Sequence, residues 1–122
     1  MTATLDPTDG DLLTFSVASH GAAARVTATG EVDSASAPLL QSQLDDLLDA
    51  GAREVVVDLD GVTFLDSAGL CVLAATHRRA VAEDVRLRIL ASSRAVIRPL
   101  QITGLFDLLG VEEIAPGTGA TS

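Results

Sequence analysis

One short stretch gathers several groups able to do chemistry. Asp66-Ser67 lies at its centre, with Asp58 and Asp60 before it and Cys71 and His77 after it. A β-branched run, Glu54 to Leu59, leads in, and a run with helical apolar spacing follows. Ser67 thus falls beyond the carboxyl end of an expected strand and at the start of an expected helix. Unpaired N–H groups and the helix dipole favour an anion at such a point. A phosphate on that hydroxyl would add about −1.5 to −2 charges and three strong acceptors. Asp66 would repel it unless the carboxylate points away or binds a cation. Taken alone, a serine opening a helix and an aspartate before it are more ordinarily alternative N-caps.

Other chemistries find less support. Acyl transfer needs a base beside the serine, and no Gly-x-Ser-x-Gly elbow is present. His77 is ten residues along the same expected helix, roughly 15 Å away by the rise per residue. His20 falls in an expected hairpin connection, and both histidines read as surface residues. There is no G-x-x-x-x-G-K-[ST] loop and no lysine, which speaks against nucleotide binding. Asp58, Asp60 and Asp66 read as a solvated acidic turn, so neither metal nor cofactor is assigned. Cys71 is the sole cysteine, which leaves no internal disulfide and no multi-cysteine metal site. It reads as a small core residue on the buried face of its helix.

The bulk composition narrows the class further. The 122 residues suit one domain, and 48% hydrophobic content suits a packed core rather than disorder. With three Phe and neither Trp nor Tyr, that core must be aliphatic. Seventeen acidic residues against eight basic ones, all arginine, give a net charge of −9. This argues against nucleic acid and against anionic lipid, both of which call for a basic face. The first residues have neither the basic nor the apolar region of a signal peptide, and no apolar run reaches the ~18 residues of a membrane span. The expectation is a soluble cytoplasmic protein.

Several elements must position the Ser67 stretch. Residues 1–11 are polar, broken by Pro7 and Gly10, and read as a mobile lead-in. Leu12 to Ala18 and Ala24 to Thr29 read as strands joined through Ser19-His20-Gly21-Ala22, with Gly30 ending the second. Ser34 or Ser36 caps a helix with Pro38 in its first turn and Leu40, Leu44, Leu47 and Leu48 along one stripe; Gly51 follows its end. After the Glu54 to Leu59 strand and a short turn, a helix is expected over Ser67 to Ala82, burying Leu70, Leu73, Ala74 and Val81. Arg78 and Arg79 suit its carboxyl end. Val85 to Ala91 alternates as a strand. Ser92 or Ser93 caps a helix bearing Val96, Ile97 and Leu100, which Pro99 should shorten or bend. Thr103 is expected to cap one more turn through Leu109. Val111 to Ile114 reads as an edge strand, and residues 115–122 as a loose tail. The sum is a single small α/β domain over residues 12–114, a mixed sheet of four to five strands with helices mainly on one face.

Against this frame, Val57-Asp58-Leu59-Asp60-Gly61-Val62-Thr63-Phe64-Leu65-Asp66-Ser67-Ala68-Gly69-Leu70 closely resembles the signature of the STAS domain, found in bacterial anti-sigma factor antagonists. Gly30-Glu31-Val32-Asp33 resembles the family's second motif, and Leu100-Gln101-Ile102-Thr103-Gly104-Leu105 its C-terminal segment. The resemblance runs from about Leu12 to Ile114. It implies a STAS-like fold and a binding protein rather than an enzyme. In such antagonists the serine matching Ser67 is phosphorylated by an anti-sigma factor with serine kinase activity, which itself binds the ATP and magnesium. The unphosphorylated form sequesters that kinase, frees a sigma factor and so regulates transcription; a phosphatase resets the switch. Carried over, the resemblance assigns phosphorylation to Ser67 and partner binding to Asp33, Asp66, Ser67, Ala68 and Gly69. The short tails fit a stand-alone antagonist. The alternative it leaves open is a non-phosphorylated STAS scaffold in a stress-signalling or lipid-transport complex.

Overall fold

A computed structural model of the chain describes residues 13–115. The expected lead-in, the start of the first strand at Leu12 and nearly all of the expected tail lie outside these residues. The elements run β1 (Leu13–His20), β2 (Ala23–Val32), α1 (Ala37–Asp49), β3 (Glu54–Leu65), α2 (Ser67–Ala82), β4 (Arg86–Ala91), α3 (Arg94–Thr103), α4 (Leu105–Leu108) and β5 (Glu112–Glu113). They form one five-stranded sheet in the order β1-β2-β3-β4-β5. The β1–β2 hairpin is antiparallel, and every later neighbour is parallel. The sheet is therefore mixed, with four helices, as the order of elements implied.

Strand alternation decides which side is covered. Val26, Val57 and Ile89 are paired in register and fully buried, and they share a face with Val55, Leu59 and Ala28. Leu40, Leu44 and Leu48 of α1, Leu70 and Leu73 of α2, and Val96 and Leu100 of α3 join them in a single aliphatic cluster. The other face is polar. There Asp58 accepts Arg25 Nη2 at 2.6 Å, and its side chain is only 1% exposed. Arg88 holds Glu112 by a two-pronged contact at 2.9 and 3.0 Å. That pairing keeps the Glu112 carboxyl below its ordinary value.

Several boundaries differ from expectation, each for a physical reason. β2 does not stop at Gly30 but continues to Val32, and β3 does not turn at Asp60-Gly61 but runs twelve residues to Leu65. The two strands stay paired through register shifts at Thr27/Thr29 and Gly30/Glu31. Gly30 takes a φ of 119°, open to glycine alone at low cost. Gly61 lies so close to β2 that a Cβ there would sit 2.9 Å from Thr29 Oγ1. The Asp-Gly pair thus marks a bulge between two backbones rather than a turn. Ser19 and His20 belong to β1, leaving Gly21-Ala22 as the turn. Thr103 caps no further helix. Its hydroxyl donates back to the carbonyls of Pro99 and Leu100 at 2.8 and 3.1 Å, and Gly104 at φ 79° ends α3. The last strand is shorter than Val111 to Ile114.

α2 begins and ends where its spacing predicts, but it is rotated from the expected face. Val72, Thr76 and Ala80 are buried with Leu70 and Leu73, whereas Val81 is 66% exposed. Cys71 is exposed too, not a core residue. Arg79 does more than complement the helix end. It reaches Asp49 at 2.6 Å and Asp45 at 3.4 Å on α1, and Glu83 at 2.7 Å on its own chain segment. The two helices are thereby tied across their outer edge.

Candidate functional site

The last pair of the β2–β3 register is Val32 with Leu65. One residue further on, the two chains leave the sheet side by side, at Asp33 and Asp66. An N–H of the second chain holds them together: Asp66 donates to the Val32 carbonyl at 3.1 Å. Both aspartates then turn their carboxylates onto backbone.

Asp66 is the N-cap of α2, in extended conformation, with Oδ1 accepting the N–H groups of Ala68 at 2.9 Å and Gly69 at 3.4 Å. Of the two caps the sequence offered, the aspartate is the one used. Ser67 is displaced to the first helical position and is exposed. Asp33 Oδ1 accepts the N–H groups of Ala35 at 3.0 Å and Ser36 at 2.9 Å. Donation from the Ser36 N–H holds the Asp33 carboxyl below its ordinary value, against the opposing effect of desolvation. Ser36, only 3% exposed, fastens the loop from inside. Its hydroxyl lies 2.8 Å from the Glu31 carbonyl and accepts the Asp33 N–H at 2.9 Å. Sequence reasoning treated Ser36 only as a possible helix cap. The signal available was its spacing, three residues after an aspartate and just before Pro38.

Ala68 is half-buried, and Gly69 is buried. Gly69 leaves no space beside Ser67. A Cβ on Gly69 would lie 2.4 Å from Leu65 Cδ1 and 2.8 Å from Val32 Cγ1. Gly69 therefore seats α2 against the strand ends and is itself buried. Phe64, which sequence reasoning did not assign to the site, is 46% exposed next to Glu31 in the β2–β3 pairing. Strand alternation gave no signal for it: period two from the buried Val62 would turn Phe64 inward, yet Thr63 and Phe64 are both exposed and Leu65 is buried. The outer surface is thus an exposed hydroxyl flanked by Asp33 and Asp66, with Glu31 and an aromatic ring beside it.

This geometry does not build a hydrolytic triad. Oδ1 of Asp66 faces two amides, and His77 is ten residues further along α2, roughly 15 Å by helical rise. Asp58 and Asp60 do not join Asp66 in an acidic turn. Asp58 pairs with Arg25, and Asp60 accepts the Ser92 hydroxyl. Among the described residues no group of three His, Cys, Asp or Glu side chains is placed to hold a metal.

Comparison with protein families matches residues 15–118 to the STAS domain. The chain belongs to the STAS domain family. It is 32% identical over 95 residues to the anti-sigma-F factor antagonist RsfB of Mycobacterium tuberculosis, covering 78% of this chain and 77% of that one. It is 36% identical over 84 residues to the anti-sigma-B factor antagonist of Staphylococcus aureus, covering 69% and 78%. Among solved structures, an anti-sigma factor antagonist from Mycobacterium paratuberculosis superposes with a TM-score of 0.77 at 30% identity, over 84% of this chain and 86% of that one. SpoIIAA in its unphosphorylated form superposes with a TM-score of 0.72 over 88% and 93%; at 17% identity it speaks for the fold alone. No helix among the described residues is long and apolar enough to cross a membrane.

Proposed function

We propose that this STAS domain is an anti-sigma factor antagonist whose affinity for its partner is switched by phosphorylation of Ser67. The observation that carries this reading is the placement of Ser67: exposed, at the first position of a sixteen-residue helix, with the carboxylates on either side already occupied by backbone. The partner is an anti-sigma factor with serine kinase activity, docking over Asp33, Asp66, Ser67 and Ala68 in the cytoplasm. A phosphatase reverses the modification. The domain supplies a hydroxyl to another protein's chemistry and performs none itself.

The caps define how the switch works. A phosphate at a helix start is ordinarily stabilised by the free N–H groups there. Here Asp66 takes those of Ala68 and Gly69. With those two amides taken, the phosphate is denied the usual helix-start cradle and projects outward, where it meets whatever docks on Ser67. Losing the solvation of such a group on docking costs several kcal/mol, about 10²–10³-fold or more in affinity. Asp66 thus helps to expel the phosphate rather than to receive it.

The test is binding and phosphorylation with the cognate kinase. Ser67→Ala should bind with near wild-type affinity and take up no phosphate. Ser67→Asp, with a single added charge, should bind about tenfold or more weaker. Stoichiometric phosphorylation of Ser67→Ala would overturn the assignment of the site.

A further inference from the structure

The two edges of the sheet are protected very differently. β5 is two residues long and both are glutamate. β1 is eight residues long, Leu-Thr-Phe-Ser-Val-Ala-Ser-His, with no Asp, Glu, Lys, Arg or Pro. Among the described residues it pairs with β2 on one side only. Charges, prolines, bulges and short length are the usual devices that keep a free edge from pairing with another strand. β1 has none of them.

Beside this edge lies a groove of about 550 Å³ between β1 and α1. Leu13, Phe15, Val17, Leu39, Ser42 and Gln43 line it, without a charged side chain among them. Val17 is 44% and Leu39 46% exposed, high values for large aliphatics on the covered side of the sheet. Asp46, one turn after Ser42 on α1, is the first exposed carboxylate beyond it. In a chain of net charge −9, most surfaces repel a second copy. This neutral strip is where two copies approach at least electrostatic cost.

We propose that β1 pairs with β1 of a second copy about a two-fold axis, joining two five-stranded sheets into one. Opposed residues of antiparallel strands point to the same face, so odd-numbered residues of β1 must meet odd-numbered ones. An axis through Ser16 sets Phe15 opposite Val17 of the second copy, and Val17 opposite its Phe15. That arrangement is self-complementary, as an isologous interface requires. The strand pair alone buries less than the ~1,200 Å² of a stable association. The same axis brings both α1 helices to one side, so that Leu39 of each covers the shared Phe15–Val17 pairs. The interface leaves Ser67 free, because Ser67 follows β3, and β2 lies between β3 and β1.

The test is the mass of the full chain in solution from about 1 µM to about 1 mM. Wild type should pass from monomer to dimer within that range. Val17→Lys, which charges the edge, and Leu39→Gln, which leaves the strand untouched, should each raise the midpoint at least tenfold with unchanged circular dichroism. Ser16→Cys in a Cys71→Ser background should oxidise to a covalent dimer, since opposed antiparallel Cα atoms lie about 4.5–5.5 Å apart, within disulfide reach. Three results overturn the proposal. The wild type stays monomeric throughout, the dimer survives both substitutions, or dimers form only after residues 1–11 are removed. The last would mean that the chain's own leading segment occupies the edge.

Discussion

At the scale of single residues, the site is governed by what each carboxylate is already doing. Asp33 is spent on the N–H groups of Ala35 and Ser36, which lowers its pKa in the folded state. A carboxyl with a depressed folded pKa stabilises the fold above its unfolded value of ~4, and that contribution disappears as pH falls through the folded value. Urea midpoints measured between neutral pH and pH 3 should therefore fall more steeply for the wild type than for Asp33→Asn, whose amide oxygen accepts the same bonds without titrating. Gly69 is a separate case, because alanine there gains helix propensity while its Cβ meets Leu65 and Val32. The propensity gain is about 1 kcal/mol and overpacking costs about 1–3. Gly69→Ala should lose up to about 2 kcal/mol in chemical denaturation, with Ser67 shifted by whatever movement of α2 relieves the clash. The place of Ser67 at a helix start was legible in the sequence, since it depends on residue type and local position. The functions of Ser36 and Gly69 were not: Ser36 closes its loop on Glu31 and Asp33 only once that loop has its folded shape, and Gly69 meets Val32 of another strand.

At the scale of elements, α2 shows what spacing reveals and what it hides. Its ends at Ser67 and Ala82 follow from the cap and from the change in composition. Its facing does not, because small and apolar residues occur all round Ser-Ala-Gly-Leu-Cys-Val-Leu-Ala-Ala. A stripe cannot be chosen from such a run without knowing that α1 and the sheet lie on the side of Val72 and Thr76. One consequence is Thr76, 2% exposed, with a hydroxyl that has no hydrogen-bond partner among the described residues. A buried polar group left unpaired costs about 1–3 kcal/mol. Thr76→Val keeps the shape and removes the group, so it should raise stability by about 1 kcal/mol, read as a higher melting temperature. The strand ends teach the converse. Asp60-Gly61 carries every local mark of a turn, and the pairing of β3 with β2 overrides it. Non-local backbone pairing of this kind leaves no periodic trace in the sequence.

At the scale of the whole molecule, the architecture was legible because the order of elements restricts a small α/β chain to few topologies. The polar face of the sheet was less so, since Arg25 and Asp58 lie in different strands, 33 residues apart. Breaking a fully buried ion pair from one side costs about 3–5 kcal/mol. Arg25 is 36% exposed, so water replaces part of its contribution. Arg25→Met should therefore cost about 2–3 kcal/mol in urea denaturation, less than the figure for a fully buried pair. Asp58→Asn/Arg25→Met should recover part of that loss, because it removes the stranded charge as well.

The paired aspartate caps also bear on time rather than on affinity. With Asp33 and Asp66 both fastened to backbone, the Ser67 surface needs no ordering when a partner arrives. Encounter should then proceed at about 10⁵–10⁷ M⁻¹s⁻¹, typical of preformed surfaces, and faster in low salt if the partner is basic. A charge added at Ser67 leaves that scaffold unchanged, so the two forms should differ chiefly in how long a partner stays. A module built this way would report a charge added at Ser67 through residence time.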